Sequence, residues 1–251
     1  MMILVLILVL CIFLFFVGGE RGAIVVTTLA GNVCVLAVTL ILLANGMPIF
    51  PIVFLAAVLI SYITLIRQNG NNQKTWSAFV SVAGIMLVLS VAIAVIVHIT
   101  NAGGLNEIQS VQEDVAFYYT LDIQIPIQKI AVGVVILSAL GAIMDTALSV
   151  TSAVYEVSLH KQELSRKEYI LSGIQVGKDI IGTTANTLLF AYFGESILLF
   201  SYLVNMKYNW EMILNSKLLF QGLAMMAAGM TACLLAVPVS SYIIANVISD
   251  K

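Results

Sequence analysis

The sequence predicts an all-α, polytopic membrane bundle of about seven spanning helices, and three observations carry that reading. Of the 251 residues, 61% are hydrophobic and the mean hydropathy is +1.07, well above the roughly 45–50% apolar content of a soluble domain. Charged residues make up only 10% of the chain. The apolar residues also come in unbroken runs. Short alternating strands, the mark of a membrane barrel, are missing, so helices that satisfy their own backbone polar groups are the expected solution in lipid.

A bilayer core takes about 20 apolar residues of helix. Seven runs approach or exceed this: Met2–Val17, Ala23–Leu43, Ile49–Ile66, Ala78–Ile99, Ile130–Tyr155, Ile180–Val204 and Leu218–Val247. The first has no basic leader and no small-residue cleavage site, so it reads as a span and not a signal peptide. The last is long, and Pro238 removes a backbone donor inside it, which predicts a kink. With the N-terminus outside, eight basic residues (Arg21, Arg67, Lys74, Lys161, Arg166, Lys167, Lys178 and Lys251) fall on the cytoplasmic side and three (Lys129, Lys207, Lys217) outside. The positive-inside rule therefore favours N-out and C-in.

The chain divides accordingly. Residues 1–99 form a four-helix scaffold with few polar groups, and residues 100–129 an extracytoplasmic loop. Residues 130–251 form a polar-striped half whose cytoplasmic linker spans 156–179. The outer loop carries Glu107, Glu113, Asp114 and Asp122, read as a solvated cap. In the linker, Leu159, Leu164, Tyr169, Ile170 and Ile174 among charges suggest an interfacial helix. Trp210, Tyr202 and Tyr208 suit an aromatic belt at the opposite surface. Cys11, Cys34 and Cys233 lie in apolar runs without CxxC spacing and read as packing residues. A net charge of -2 gives no reason to expect nucleic acid. Without phosphate-loop, HExxH or nucleophile-elbow patterns, no enzyme activity, cofactor or metal is expected.

Chemistry concentrates in the fifth and sixth spans. Ser138, Gly141, Asp145, Ser149 and Ser152 return to one face of a 3.6-residue helix, and Glu156 extends it. A carboxyl at that depth costs at least ~2.5 kcal/mol in lipid, so it faces the bundle interior or water. It is either interhelical glue or a proton or solute relay. In the sixth span Asp179, Thr183 and Asn186 share a face bordered by Thr187, with Gly182 leaving room for a neighbour. This second stripe is expected to face the first, the alternative again being hydrogen-bonded packing. On the last span Gly222 and Gly229 join Cys233, Ala236 and Ser240 on a face suited to close helix packing, and Gly141 and Gly182 are likewise expected at helix-packing positions.

The segments "LGAIMDTALSVTSAVYE" (Leu140–Glu156) and "SGIQVGKDIIGTTANTLLFAYFGES" (Ser172–Ser196), and less sharply "GMTACLLAVPVSS" (Gly229–Ser241), resemble the YibE/F family of bacterial multipass membrane proteins. The resemblance covers about the C-terminal half. It implies a bacterial cytoplasmic-membrane protein whose partners are membrane lipids and a companion family member or further copies of itself. The order of an acid-bearing helix, a basic linker, a Thr-rich motif and a small-residue last helix is more distantly similar to the membrane part of SecF and the RND superfamily. Asp145 and Thr146 match that pattern's Asp-Thr. Lys178 and Asp179 stand where it has Arg-Thr, and Asn186 and Thr187 where it has Thr-Thr. The expected function is transport-related, with Asp145, Ser149, Ser152, Asp179, Thr183, Asn186 and Thr187 along a proton or solute path. The alternative is a non-catalytic subunit that scaffolds a companion, the stripes being packing contacts.

Overall fold

A computed structural model describes residues 2–100, 127–161 and 164–249. The acidic outer loop therefore lies outside the described residues. Helix α1 runs Met2–Ala44, α2 Ile49–Ser61, a π-helical turn Tyr62–Arg67, α3 Gln73–Thr100, α4 Ile127–His160, α5 Arg166–Asn205, α6 Trp210–Leu214 and α7 Lys217–Ser249. No strand occurs among the described residues. Among the described residues, five helical stretches are long and apolar enough to cross a membrane: Leu4–Ala44, Ile49–Arg67, Gln73–Ile96, Gly133–His160 and Lys217–Ser249.

The core lies where α2, α3, α4 and α7 meet. Val53 and Ile60 pack with Val82, Ile85 and Met86, with Ile136 and Ile143, and with Ala232 and Ala236. Association in lipid rests on close packing more than on escape from water, and Ala139, Ala147, Ala232 and Ala236, all nearly inaccessible, let the helix axes approach. A second cluster of Val154, Tyr169, Ile244 and Ala245 ties the end of α4 to the start of α5 and the end of α7. Tyr169 Oη donates to the Lys161 carbonyl at 2.8 Å, which pins the short joint between α4 and α5. At this same end Lys74 Nζ lies 4.0 Å from Glu156, and the Arg166 guanidinium lies 4.9 Å from the centroid of the Tyr242 ring.

Three local features differ from the sequence reading. The expected break between Val17 and Ala23 is confined to one residue: Gly19 sits at φ 54°, ψ -131°, and helix continues on both sides. That conformation suits glycine alone. Just beyond it a side chain at Gly22 would run into the Leu14 carbonyl, so the two stretches turn tightly against each other. The linker holds no separate interfacial helix, because α5 begins at Arg166, and residues 166–179 are the first turns of a 40-residue helix. Glu168 Oε2 accepts from both the Ser165 backbone N–H at 2.6 Å and its hydroxyl at 2.7 Å. This reciprocal cap gives the helix its early start. In sequence the Gly194-Glu195 pair, a glycine followed by an acid, reads as a break near the outer end of the span, yet α5 is helical through it.

Candidate functional site: two outward polar faces on α4 and α5

Helix α4 buries Ile136, Ile143, Ala147 and Val150, and the opposite side carries the stripe. Ser138, Gly141, Asp145, Ser149 and Glu156 are exposed and Ser152 is half-buried. The carboxyl thus points away from the apolar core. No hydrogen bond or ion pair engages Asp145 among the described residues, while Ser138 spends its hydroxyl on the Val135 carbonyl at 2.9 Å. The next residue, Thr146, is fully buried and lies beside Cys233 of α7. The Asp-Thr pair therefore straddles the edge of the α4–α7 contact, acid outside and hydroxyl inside.

Helix α5 repeats the arrangement. It packs on α7 through Gly173, Gly177, Leu188 and Tyr192, which meet Ser241, Val237, Gly229 and Gly222 in turn. These pairs run in opposite chain directions, so the two helices are antiparallel. Asp179, Gly182, Thr183, Asn186 and Thr187 lie on the outer side and are exposed. Thr183 donates to the Ile180 carbonyl and Thr187 to the Thr183 carbonyl, each at 2.9 Å. No hydrogen bond joins the α4 stripe to the α5 stripe among the described residues. The expectation that the two stripes close on each other is corrected: both open onto the surface of the single chain.

The glycines sort the same way. Gly141 and Gly182, expected at close approaches, have no heavy atom within 4 Å of a built Cβ, because both lie on the open faces. Gly222 lies against the Tyr192 ring, and a Cβ on Gly229 would sit 3.2 Å from Leu188. The tightest α5 approaches are at Gly173 and Gly177. The sequence reading passed over them although their four-residue spacing is the small-xxx-small signal of membrane helix pairs.

A polar contact in the N-terminal half also went unread. Thr28 Oγ1 donates to Gln68 Oε1 at 3.1 Å, and Asn32 Nδ2 donates to Thr64 Oγ1 at 3.0 Å. The π-helical turn aims Thr64 and Gln68 at α1, and the i, i+4 spacing of Thr28 with Asn32 and of Thr64 with Gln68 was the available signal. No cluster of three His, Cys, Asp or Glu side chains close enough to hold a metal occurs among the described residues.

No curated protein and no solved structure matches the chain. The family model for YibE/F-like proteins does match, over residues 6–250. That span takes in the Gly19 turn, the π-helical turn and both polar faces, so the likeness extends beyond the C-terminal motifs to nearly the whole sequence, and the chain belongs to the YibE/F-like family.

Proposed function

We propose that this is a transport-related, non-enzymatic protein of the bacterial cytoplasmic membrane, in which protonation of Asp145 drives a change in how the α4 and α5 faces are covered. One observation carries the reading: a carboxyl midway along a membrane helix lies on an outward face with no partner among the described residues. An acid used as internal glue would be hydrogen-bonded across a helix contact, and on α5 the exposed Thr183 and Thr187 spend their hydroxyls on their own helix. A free carboxyl that takes up a proton loses its charge, which changes the cost of covering that face and so biases two packings. If Gly19 turns the chain between two spans, the topology has seven spans, N-out and C-in, with α4, α5 and α7 arranged as in SecF and RND membrane domains.

The test is proton uptake by the full chain in liposomes loaded with a pH-sensitive dye and subjected to a pH jump. Asp145→Asn is expected to abolish protein-dependent uptake, and equal uptake by both proteins sinks the relay.

A second reading has its own support. An exposed carboxylate facing hydrocarbon costs at least ~2.5 kcal/mol, and a companion family member or second copy laid over the α4–α5 side removes that cost. Extraction in mild detergent is then expected to bring a stoichiometric companion with the wild type and less of it with Gly182→Leu, which fills open space on that face. Recovery of a lone, fully functional monomer excludes this reading.

A further inference from the structure

At the end of the bundle where α3 begins and α7 finishes there is a cavity of about 500 Å³. Its walls are apolar: the Trp76 ring, Val80, Ile243 and Val247. Trp76 and Val80 are 44% and 51% exposed, so the cavity opens to the lipid side. Its mouth carries the amides of Asn71, Asn72 and Gln73. Trp76 Nε1 donates to Asn71 Oδ1 at 2.6 Å, which holds the indole as one wall. Asn72 caps α3: its Oδ1 accepts from the Thr75 N–H at 3.0 Å, and its own N–H is paired with Thr75 Oγ1 at 3.2 Å. The Trp76 N–H reaches the Asn72 carbonyl at 3.1 Å. Gln73 and Lys74 are the first two residues of this 28-residue helix, so their backbone N–H groups have no intrahelical acceptor, and N–H groups so placed receive anionic oxygens.

The second observation is independent of the helix end. Ser77 also lines the cavity and is 2% exposed, and its hydroxyl has no hydrogen-bond partner among the described residues. A serine buried in a membrane helix ordinarily returns its proton to a carbonyl one turn back, as Ser81 does to the Ser77 carbonyl at 2.7 Å. A buried hydroxyl without a partner is costly. Here it sits one helical turn deeper than the open backbone donors.

We propose that this cavity binds one phospholipid of the surrounding bilayer. The phosphate caps the start of α3, an ester carbonyl accepts from the Ser77 hydroxyl, and an acyl chain lies along Trp76, Val80, Ile243 and Val247. The order of groups, anion receptor outermost, single donor next and apolar wall innermost, matches the order along a phospholipid. A free phosphate uses the first group and leaves Ser77 and the walls unmatched. The proposal does not depend on Asp145.

Native mass spectrometry of the full chain, stripped of lipid and then given phosphatidylglycerol, tests it. One phospholipid per chain is expected to survive activation that removes the rest. Asn71→Asp keeps the acceptor for Trp76 but sets a negative charge beside the phosphate, and it is expected to weaken retention about tenfold. Ser77→Ala is expected to weaken it about 2–10-fold, the value of one hydrogen bond. Ile243→Trp fills the cavity and is expected to abolish retention; if that variant fails to fold, the other two decide. Equal retention in Asn71→Asp, Ser77→Ala and wild type overturns the proposal. So does displacement of the lipid by millimolar inorganic phosphate, which marks an anion site only.

Discussion

Asp145 and Thr146 are adjacent in sequence and opposite in circumstance: one is exposed with no partner among the described residues, the other fully buried against Cys233. That contrast sets the consequences of substitution. Asp145→Leu exchanges a residue costing about 2.5–3.5 kcal/mol at a helix centre for one that favours insertion by about 0.3–0.6. The isolated chain is therefore expected to gain thermal stability in detergent, read as a rise in unfolding midpoint, while losing proton uptake. Glu168 gives the pH prediction. The Ser165 hydroxyl and then the Ser165 backbone N–H hold its carboxyl below the usual glutamate range. It binds a proton more weakly folded than unfolded, so its contribution is complete above the ordinary value and is lost as pH falls through the lowered one. Amide exchange at Lys167–Ile170 is expected to rise in that acid window in the wild type, and Glu168→Gln is expected to remove the pH dependence. Which residues share the Asp145 stripe was legible from spacing alone. Where the stripe points was not, because in lipid both the core and the outer surface are apolar, so periodicity names a face without saying what it meets.

At the scale of elements, the α5–α7 contact is set by glycines that sequence spacing only half reveals. Gly177→Ala puts a methyl into the Val237 side chain, an overpacking that costs about 1–3 kcal/mol. Gly182→Ala meets open space and gains about 0.5–1 kcal/mol of helix preference. Opposite shifts in thermal midpoint are expected from two substitutions of the same kind five residues apart. The Gly19 turn has a comparable test. Cys11 and Cys34 lie on its two sides, and a straight helix would separate their Cα atoms by roughly 35 Å. Spin labels on these two cysteines, with Cys233 replaced by serine, are expected to report a clearly shorter distance. Gly19→Ala, strained at its positive φ by about 1–3 kcal/mol, is expected to move that distance toward the straight value. The "VGGERG" interruption was visible as a break in hydropathy. That a single glycine accomplishes the turn was not, since backbone dihedrals leave no trace in composition.

For the whole molecule, composition alone carried the class, and the family match over residues 6–250 agrees with it. The arrangement was less legible. The N-terminal half, read as scaffold with few polar groups, divides sharply: α2 and α3 belong to the core, whereas the most apolar window of α1 is 0% buried and α1 packs on α2 and the π-helical turn. Hydropathy cannot separate a helix that lipid surrounds from one that helices surround, because both read as oil. Removal of residues 2–18 is expected to leave the α2–α3–α4–α7 core folded, with protection from exchange at Val82, Ile143 and Ala232 unchanged.

The Tyr169 hydroxyl ties the start of α5 to the end of α4, while α5 runs 40 residues without a break. Such a helix is a lever about 60 Å long with its fulcrum at one extremity. A tilt of about 5° at the Tyr169 anchor sweeps the far tip through roughly 5 Å over that length. Motion too small to disturb the packing at the fulcrum is thereby magnified across the thickness of the membrane.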